Sequence, residues 1–231
     1  MLLDSPPPAQ AQGRARGLQW QALRLHDEAA RLDLHWQRLD AAERDRAARF
    51  FRKVDRARFV VGRSTARALL AQRLGVDPTT LALHGNAWGK PALLGAPGVH
   101  FNVSHSGGWV LVAVDDAGPL GVDVEAVRPE LAELDEFRRV LAPEEAAALD
   151  ALPAHERARA VARVWVRKEA YVKAIGEGMS RELRDIAVSV QADAPHLLYD
   201  RNPGGLDARW RCLDLAIDAT HVACLVHRAD G

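Results

Sequence analysis

Asp123 and Glu125 stand two residues apart in Gly121-Val122-Asp123-Val124-Glu125. On a β-strand, residues two apart point to the same face. The two carboxylates would project together while Val122 and Val124 pack behind them. Neighbouring carboxylates repel unless a cation sits between them or water surrounds them. Oxygen-only ligands favour Mg²⁺, which commonly takes one or two carboxylates plus substrate phosphates. The plainer alternative is a strand with a polar outer face.

A second group lies in Trp165-Val-Arg-Lys-Glu-Ala-Tyr-Val-Lys-Ala-Ile-Gly176. Trp165, Glu169 and Lys173 are spaced i, i+4, i+8, along one side of a helix. Glu169 could be a third metal carboxylate and Lys173 a phosphate-binding ammonium. Lys168, on an adjoining face, could also reach a phosphate. The alternative is a surface Glu–Lys pair worth about 0.3–0.5 kcal/mol.

His100-Phe-Asn-Val-Ser-His-Ser-Gly-Gly108 reads as a strand running into a small polar turn. A Ser–His hydrolase is a poor fit. Ser104 and His105 are adjacent, so on a strand they face opposite ways, and Asn102 stands where a nucleophile elbow has its first glycine. Hydroxyls, backbone N–H groups and an imidazole suit anionic oxygens instead. The alternative is a polar hairpin turn. Gly89-Lys90-Pro91 is a turn that could present a cation rigidly. It lacks the glycine-rich run and following Ser/Thr of a P-loop.

These groups need elements to position them. Residues 1–17, with three consecutive prolines and small polar residues, read as a disordered tail without the apolar segment of a secretory signal. Leu18–Leu25 alternates weakly, as a strand. Asp40–Leu74 is rich in Ala, Arg and Leu, long enough for two helices, with Asp40 and Glu43 as a capping pair and Gly75 as the stop. Phe50, Val54, Val61, Leu69 and Leu70 are its candidate apolar face. Short strands follow from Leu81, a short helix opens at Pro143, a long one covers His155–Ile175, and strands close the chain. Helices then strands, twice, predicts an α+β fold of two similar halves meeting near residue 120.

Composition narrows the function. Apolar residues are 48% and charged residues 27%, the mix of a globular protein, and no apolar stretch is long enough to span a membrane. Two cysteines cannot build a disulfide framework, and Cys212 and Cys224 read as reduced core residues. Total charge is zero but segregated: ten Arg/Lys against two acids in Arg44–Arg73, nine acids against three bases in Gly121–Asp150. That juxtaposition suits a polyanion and a metal ion, or two solvated helix faces. Balanced charge and the lack of a reader motif argue against nucleic acid. Of the 31 basic residues only four are lysine, and Lys90, Lys168 and Lys173 lie in the segments above. His26, His84, His155, His196, His221 and His227 show no ligand spacing and read as structural or exposed.

Together, G-K-P at 89–91, H-F-N-V-S-H-S at 100–106, G-V-D-V-E at 121–125, L-A-P-E-E at 141–145 and W-V-R-K-E-A-Y-V-K-A-I-G at 165–176 resemble the 4′-phosphopantetheinyl transferases, in particular their double-length surfactin-type group. The resemblance spans about residues 40–190. It implies two similar α+β halves related by a pseudo-twofold: residues 18–119, and 120–231 carrying the metal site. It implies transfer of phosphopantetheine from coenzyme A to a serine of an apo acyl, peptidyl or aryl carrier protein, with release of 3′,5′-ADP. It implies Mg²⁺ held by Asp123, Glu125 and Glu169. Glu169 is the candidate base, directly or through water, or else only a metal ligand, since it cannot both coordinate tightly and be a free base; Lys173 stabilises the pyrophosphate, and Glu145 is a further acid near a metal-bound water. Ser104 and His105 match coenzyme A contacts, as does Lys90 at the nucleotide end. Lys168 is a further candidate contact. Arg46 and Arg58 are the candidates for the 3′-phosphate, with Arg49, Arg52 or Lys53 as substitutes. A cytoplasmic monomer is expected. A coenzyme A or carrier-binding module without turnover, and a Mg²⁺-dependent phosphohydrolase, are the competing functions.

Overall fold

The computed structural model describes residues 10–15, 17–85, 90–133, 135–177 and 181–229. Gly89 of the G-K-P turn lies outside them. The chain forms two tandem α+β units. The first contains β1 (Gln10–Ala15), β2 (Leu18–Arg24), α1 (Leu25–Glu28), α2 (Leu32–Gln37), α3 (Ala41–Ala48), α4 (Lys53–Leu74), β3 (Leu83–Gly85), β4 (Pro91–Leu93), β5 (His100–Ser106) and β6 (Trp109–Asp115). The second contains β7 (Leu120–Ala126), α5 (Asp135–Arg139), α6 (Pro143–Asp150), α7 (Ala154–Ile175), β8 (Ile186–Val188), β9 (Leu197–Asp200), β10 (Trp210–Asp214) and β11 (His221–Arg228).

The main sheets are antiparallel, ordered β1-β2-β6-β5 and β10-β11-β7. Part of the expected tail is corrected: residues 10–15 pair with β2, Gln12 opposite Gln21, while residues 1–9 lie outside the described residues. β2 already uses one edge on β6, and its other edge needs a partner for its backbone groups.

Each unit lays one 22-residue helix on its sheet. The capping pair forms at α3: Asp40 Oδ1 accepts from Glu43 N at 2.8 Å, and Glu43 Oε2 from Asp40 N at 3.2 Å. On α4, Val61, Leu69 and Leu70 are buried with Val110, Val112 and Val114 of β6. Val54 instead is 43% exposed, because the buried run of α4 begins only at Val60. Phe50 is half-buried against Phe59.

β6 is buried along its whole length, which explains its unbroken apolar run. Its even residues face α4. Its odd residues Trp109, Leu111 and Ala113 pack with Leu120, Val122 and Val124 of β7 and Leu225 of β11. This shared core joins the two units. It leaves Gly121, Asp123 and Glu125 on the opposite face of β7, under α7. At Gly121 a Cβ would lie 2.1 Å from Ala170 O and 2.4 Å from Ala174 N. Only glycine lets α7 approach β7 so closely.

Candidate active site

β5 and β7 run side by side where the units meet, joined by side chains. Asn102 Oδ1 accepts from Val122 N at 2.9 Å. Ser104 Oγ donates to Asp123 Oδ1 at 2.7 Å. Ser106 Oγ donates to Glu125 Oε1 at 3.1 Å and accepts from Ala126 N at 3.2 Å. The period of two in Asn102-Val-Ser104-His-Ser106 therefore aims three polar groups at β7. Sequence reasoning passed over Asn102 and Ser106; this alternation was the signal that could have found them.

α7 supplies the rest. Lys173 Nζ donates to Asp123 Oδ1 at 2.6 Å and to Ser104 Oγ at 3.3 Å. Asp123 is 5% exposed, whereas the Lys173 side chain keeps 30% of its surface. Glu169 lies one turn before Lys173 and is half-buried. Burial pushes its carboxyl up; nearby Lys173 opposes this and Asp123 adds to it. The structure thus brings Asp123, Glu169, Lys173 and Ser104 into one electrostatic cluster, with Glu125 beside it on β7.

His105, on the outward face of β5, is exposed. Partial desolvation and the Arg58 and Lys173 cations lower its imidazole pKa. Arg58 on α4 donates from Nη2 at 2.6 Å and Nε at 3.2 Å to Gly107 O, and from Nη1 to Asp55 at 2.9 Å. It therefore sits at the β5–β6 turn. Arg46 is exposed on α3 with its guanidinium 5.1 Å from the Phe59 ring centre.

Three residues depart from expectation. Lys168 is fully buried, and its Nζ meets Glu145 Oε2 at 2.6 Å, Val140 O at 2.7 Å and Leu183 O at 3.0 Å. Glu145 is 1% exposed and also accepts from Ala142 N and Val188 N. Burial pushes the Glu145 carboxyl up, against the pull of Lys168. These two groups satisfy each other inside the second unit, so in this structure neither faces a ligand. Lys90 Nζ donates to Lys173 O at 2.5 Å, Leu120 O at 3.0 Å and Ala174 O at 3.2 Å. Its ammonium caps the end of α7, where carbonyls lack helical partners. Lys90 and Pro91 border a cavity of about 230 Å³ with His100, Phe101, Ile175 and Gly176.

Among the described residues, one group of three candidate metal ligands gathers its donor atoms within 4.8 Å: Cys212, Asp214 and Cys224. Its carboxylate is taken by Arg167, at 3.0 and 2.6 Å. Burial pushes the Cys224 thiol up, and both cysteines are free and buried, as expected of reduced core residues. Asp123, Glu125 and Glu169 are more loosely grouped, with Asp123 engaged by Lys173 and Glu125 by Ser106. Their donors are all hard oxygens, which fits Mg²⁺ and not a thiophilic metal.

A helix-borne Glu/Lys pair thus lies over a strand-borne Asp/Glu pair at the junction of two α+β units. Residues 24–117 match the family model described as 4′-phosphopantetheinyl transferase, N-terminal, and residues 119–226 the one described as 4′-phosphopantetheinyl transferase superfamily. A 4′-phosphopantetheinyl transferase of Bacillus subtilis is 32% identical over 82% of this chain and 83% of its own length. HetI of a Nostoc species is 32% identical over 81% and 77%. Sfp of Bacillus subtilis is 30% identical over 65% and 66%. The chain belongs to the 4′-phosphopantetheinyl transferase family. No helix among the described residues is long and apolar enough to cross a membrane.

Proposed function

We propose that this chain transfers 4′-phosphopantetheine from coenzyme A to a serine of an apo carrier protein and releases 3′,5′-ADP. The observation that carries the reading is the meeting of Lys173, Asp123 and Ser104 beneath Glu169. The carrier serine Oγ attacks the β-phosphorus, a P–O bond of the anhydride breaks, and 3′,5′-ADP leaves with the electron pair. The serine proton passes to Glu169, directly or through water. Burial strengthens Glu169 as an acceptor. Lys173, partly exposed, can turn from Asp123 to the pyrophosphate oxygens. Asp123 and Glu125 would hold Mg²⁺, with Glu169 as a third ligand only where it is not the base, and the ion would neutralise phosphate charge as the anhydride breaks. His105, Ser104 and Arg58 grip phosphates at the β5–β6 turn, and Arg46 reaches the 3′-phosphate from α3. Lys90 retains its place at the nucleotide end through the cavity it borders. Glu145 and Lys168 act by holding α6 on α7. A single chain supplies both units, so a monomer suffices.

The carrier faces the start of α4. Phe51 is 100% exposed there and Val54 43%, with Arg49, Arg52 and Lys53 exposed around them. Arg58 on the same helix leads from this rim to the site. An apolar knob in a basic ring complements a carrier with acidic and apolar side chains.

Intact masses of apo carriers, incubated with coenzyme A and Mg²⁺, test the reading. The expected result is a gain of one phosphopantetheine that EDTA abolishes. No gain on acyl or peptidyl carriers would overturn it. Phe51→Ser should raise KM for the carrier about tenfold while leaving KM for coenzyme A unchanged. Equal effects on both substrates would remove Phe51 from the carrier face.

A further inference from the structure

We infer that His221, oriented by Asp218, is a positioning residue for the Ser106-Gly107-Gly108 turn and, through it, for the phosphate-gripping end of β5. The inference rests on the function proposed above but invokes residues outside the site described there. His221 opens β11, opposite Ala126 at the end of β7. Its Nδ1 lies 3.1 Å from Asp218 Oδ1 and 3.0 Å from Thr220 Oγ1. Asp218 is itself held. Its Oδ2 accepts from Trp109 Nε1 at 2.8 Å and Arg24 Nη2 at 3.4 Å, and its Oδ1 from Thr220 N at 2.8 Å. Burial would raise this carboxyl, but the hydrogen bonds from Trp109, Thr220 and His221 outweigh it and keep Asp218 ionised well below the usual range. The Asp218 carboxylate at Nδ1 fixes the orientation of the ring and turns its Nε2 edge toward the β5–β6 turn.

That Nε2 is buried and has no hydrogen-bond partner among the described residues. It is aimed at the turn. A Cβ on Gly107 would lie 2.7 Å from it, and Gly107 has φ +55°. The edge of Trp109 also faces the ring, at 6.5 Å between centroids. Arg58 of the first unit grips Gly107 O from α4, and Leu25 N donates to Gly108 O at 2.9 Å. The turn is therefore clamped between a cation of one unit and an imidazole of the other. Ser106, which opens the turn, meets Glu125, and Ser104, two residues earlier, meets Asp123. A small shift of the turn would misplace both bonds, and misplacement of this kind costs rate without removing a reacting group. Among the described residues no hydrogen bond joins the His221 ring to Asp123, Glu125, Glu169, Lys173 or Ser104, so its effect must pass through the turn.

Hydrogen exchange of the segment 100–109 and transfer kinetics in the full-length protein test this. His221→Ala should exchange faster across 100–109 and lose about tenfold in kcat/KM for coenzyme A, with far-UV dichroism unchanged. His221→Asn, which can keep the Asp218 contact but not the imidazole edge, should behave the same way and serves where the alanine variant does not fold. Gly107→Ala should lose activity both through the strain of a side chain at φ +55° and through collision with the ring, so it does not isolate His221. Wild-type exchange and kcat/KM in a folded His221 variant would overturn the inference. Absence of transfer by the wild type would instead remove the proposed function, and the exchange comparison would still decide whether His221 holds the turn.

Discussion

Lys173 Nζ lies 2.6 Å from Asp123 Oδ1, joining the helix of the second unit to the strand that meets the first. The acid is buried and the ammonium partly exposed. Asp123→Ala should therefore lower kcat/KM at least a hundredfold, while costing only about 1–2 kcal/mol of stability, because Lys173 can turn to water. Lys173→Ala should lower kcat more than it weakens coenzyme A binding. Steady-state kinetics beside urea unfolding measure both. Near-normal turnover of Asp123→Ala would exclude it as a required group.

Gly121 sets the distance between these two residues. Gly121→Ala drives a methyl into the backbone of α7 at Ala170 and Ala174. We expect a loss of about 3 kcal/mol or more, read as a lowered Tm, since backbone cannot yield as a side-chain tip can. Unchanged Tm would mean that α7 can lift from β7 at no cost.

The Glu145–Lys168 pair separates structural from substrate-binding roles. Lys168→Met leaves a buried carboxylate with two backbone donors but no cation. A loss of about 3 kcal/mol is expected, and Lys168→Met/Glu145→Gln should be milder than Lys168→Met alone. Among folded molecules, KM for coenzyme A should stay within about threefold of wild type. A tenfold rise in KM with normal stability would restore Lys168 to the phosphate contacts.

Lys90 gives a pH dependence. Burial lowers its ammonium from the ordinary 10.5 to about 8. Above 10.5 the folded and unfolded forms are both neutral. As pH falls, the unfolded chain binds the proton first, so this contribution to stability is lost between 10.5 and about 8 and is constant below. Relative to Lys90→Met, wild type should weaken across that window by no more than about 3 kcal/mol. Denaturant titrations of both proteins through the window measure the difference. A constant difference would show that Lys90 titrates normally.

Much of the site was legible because its signals are local. The i, i+4 spacing of Glu169 and Lys173 needs only an α-helix, and the alternation of Asp123 and Glu125 only a strand. Asp40 and Glu43 announced a helix start that forms as read. The same alternation placed Ser104 and His105 on opposite faces, and one is buried while the other is exposed. Lys168 misled because helical spacing gives a direction but not what lies there. Its neighbour is Glu145 of another helix, inside the unit. Residues 10–15 misled because a weak strand can borrow order from an edge that needs pairing.

From sequence alone came the two α+β passes, the acid pair on a strand, the Glu–Lys pair on a helix and the family to which they belong. Each follows from the repeat of its own element. Tertiary structure decided what each side chain meets. It turned Lys90 onto the end of α7, closed Lys168 on Glu145, brought Lys173 to Asp123 over a residue without a side chain, and set His221 against Gly107. Such pairings depend on how separate elements pack, and no local period encodes the distance between two surfaces that meet only when the chain is folded.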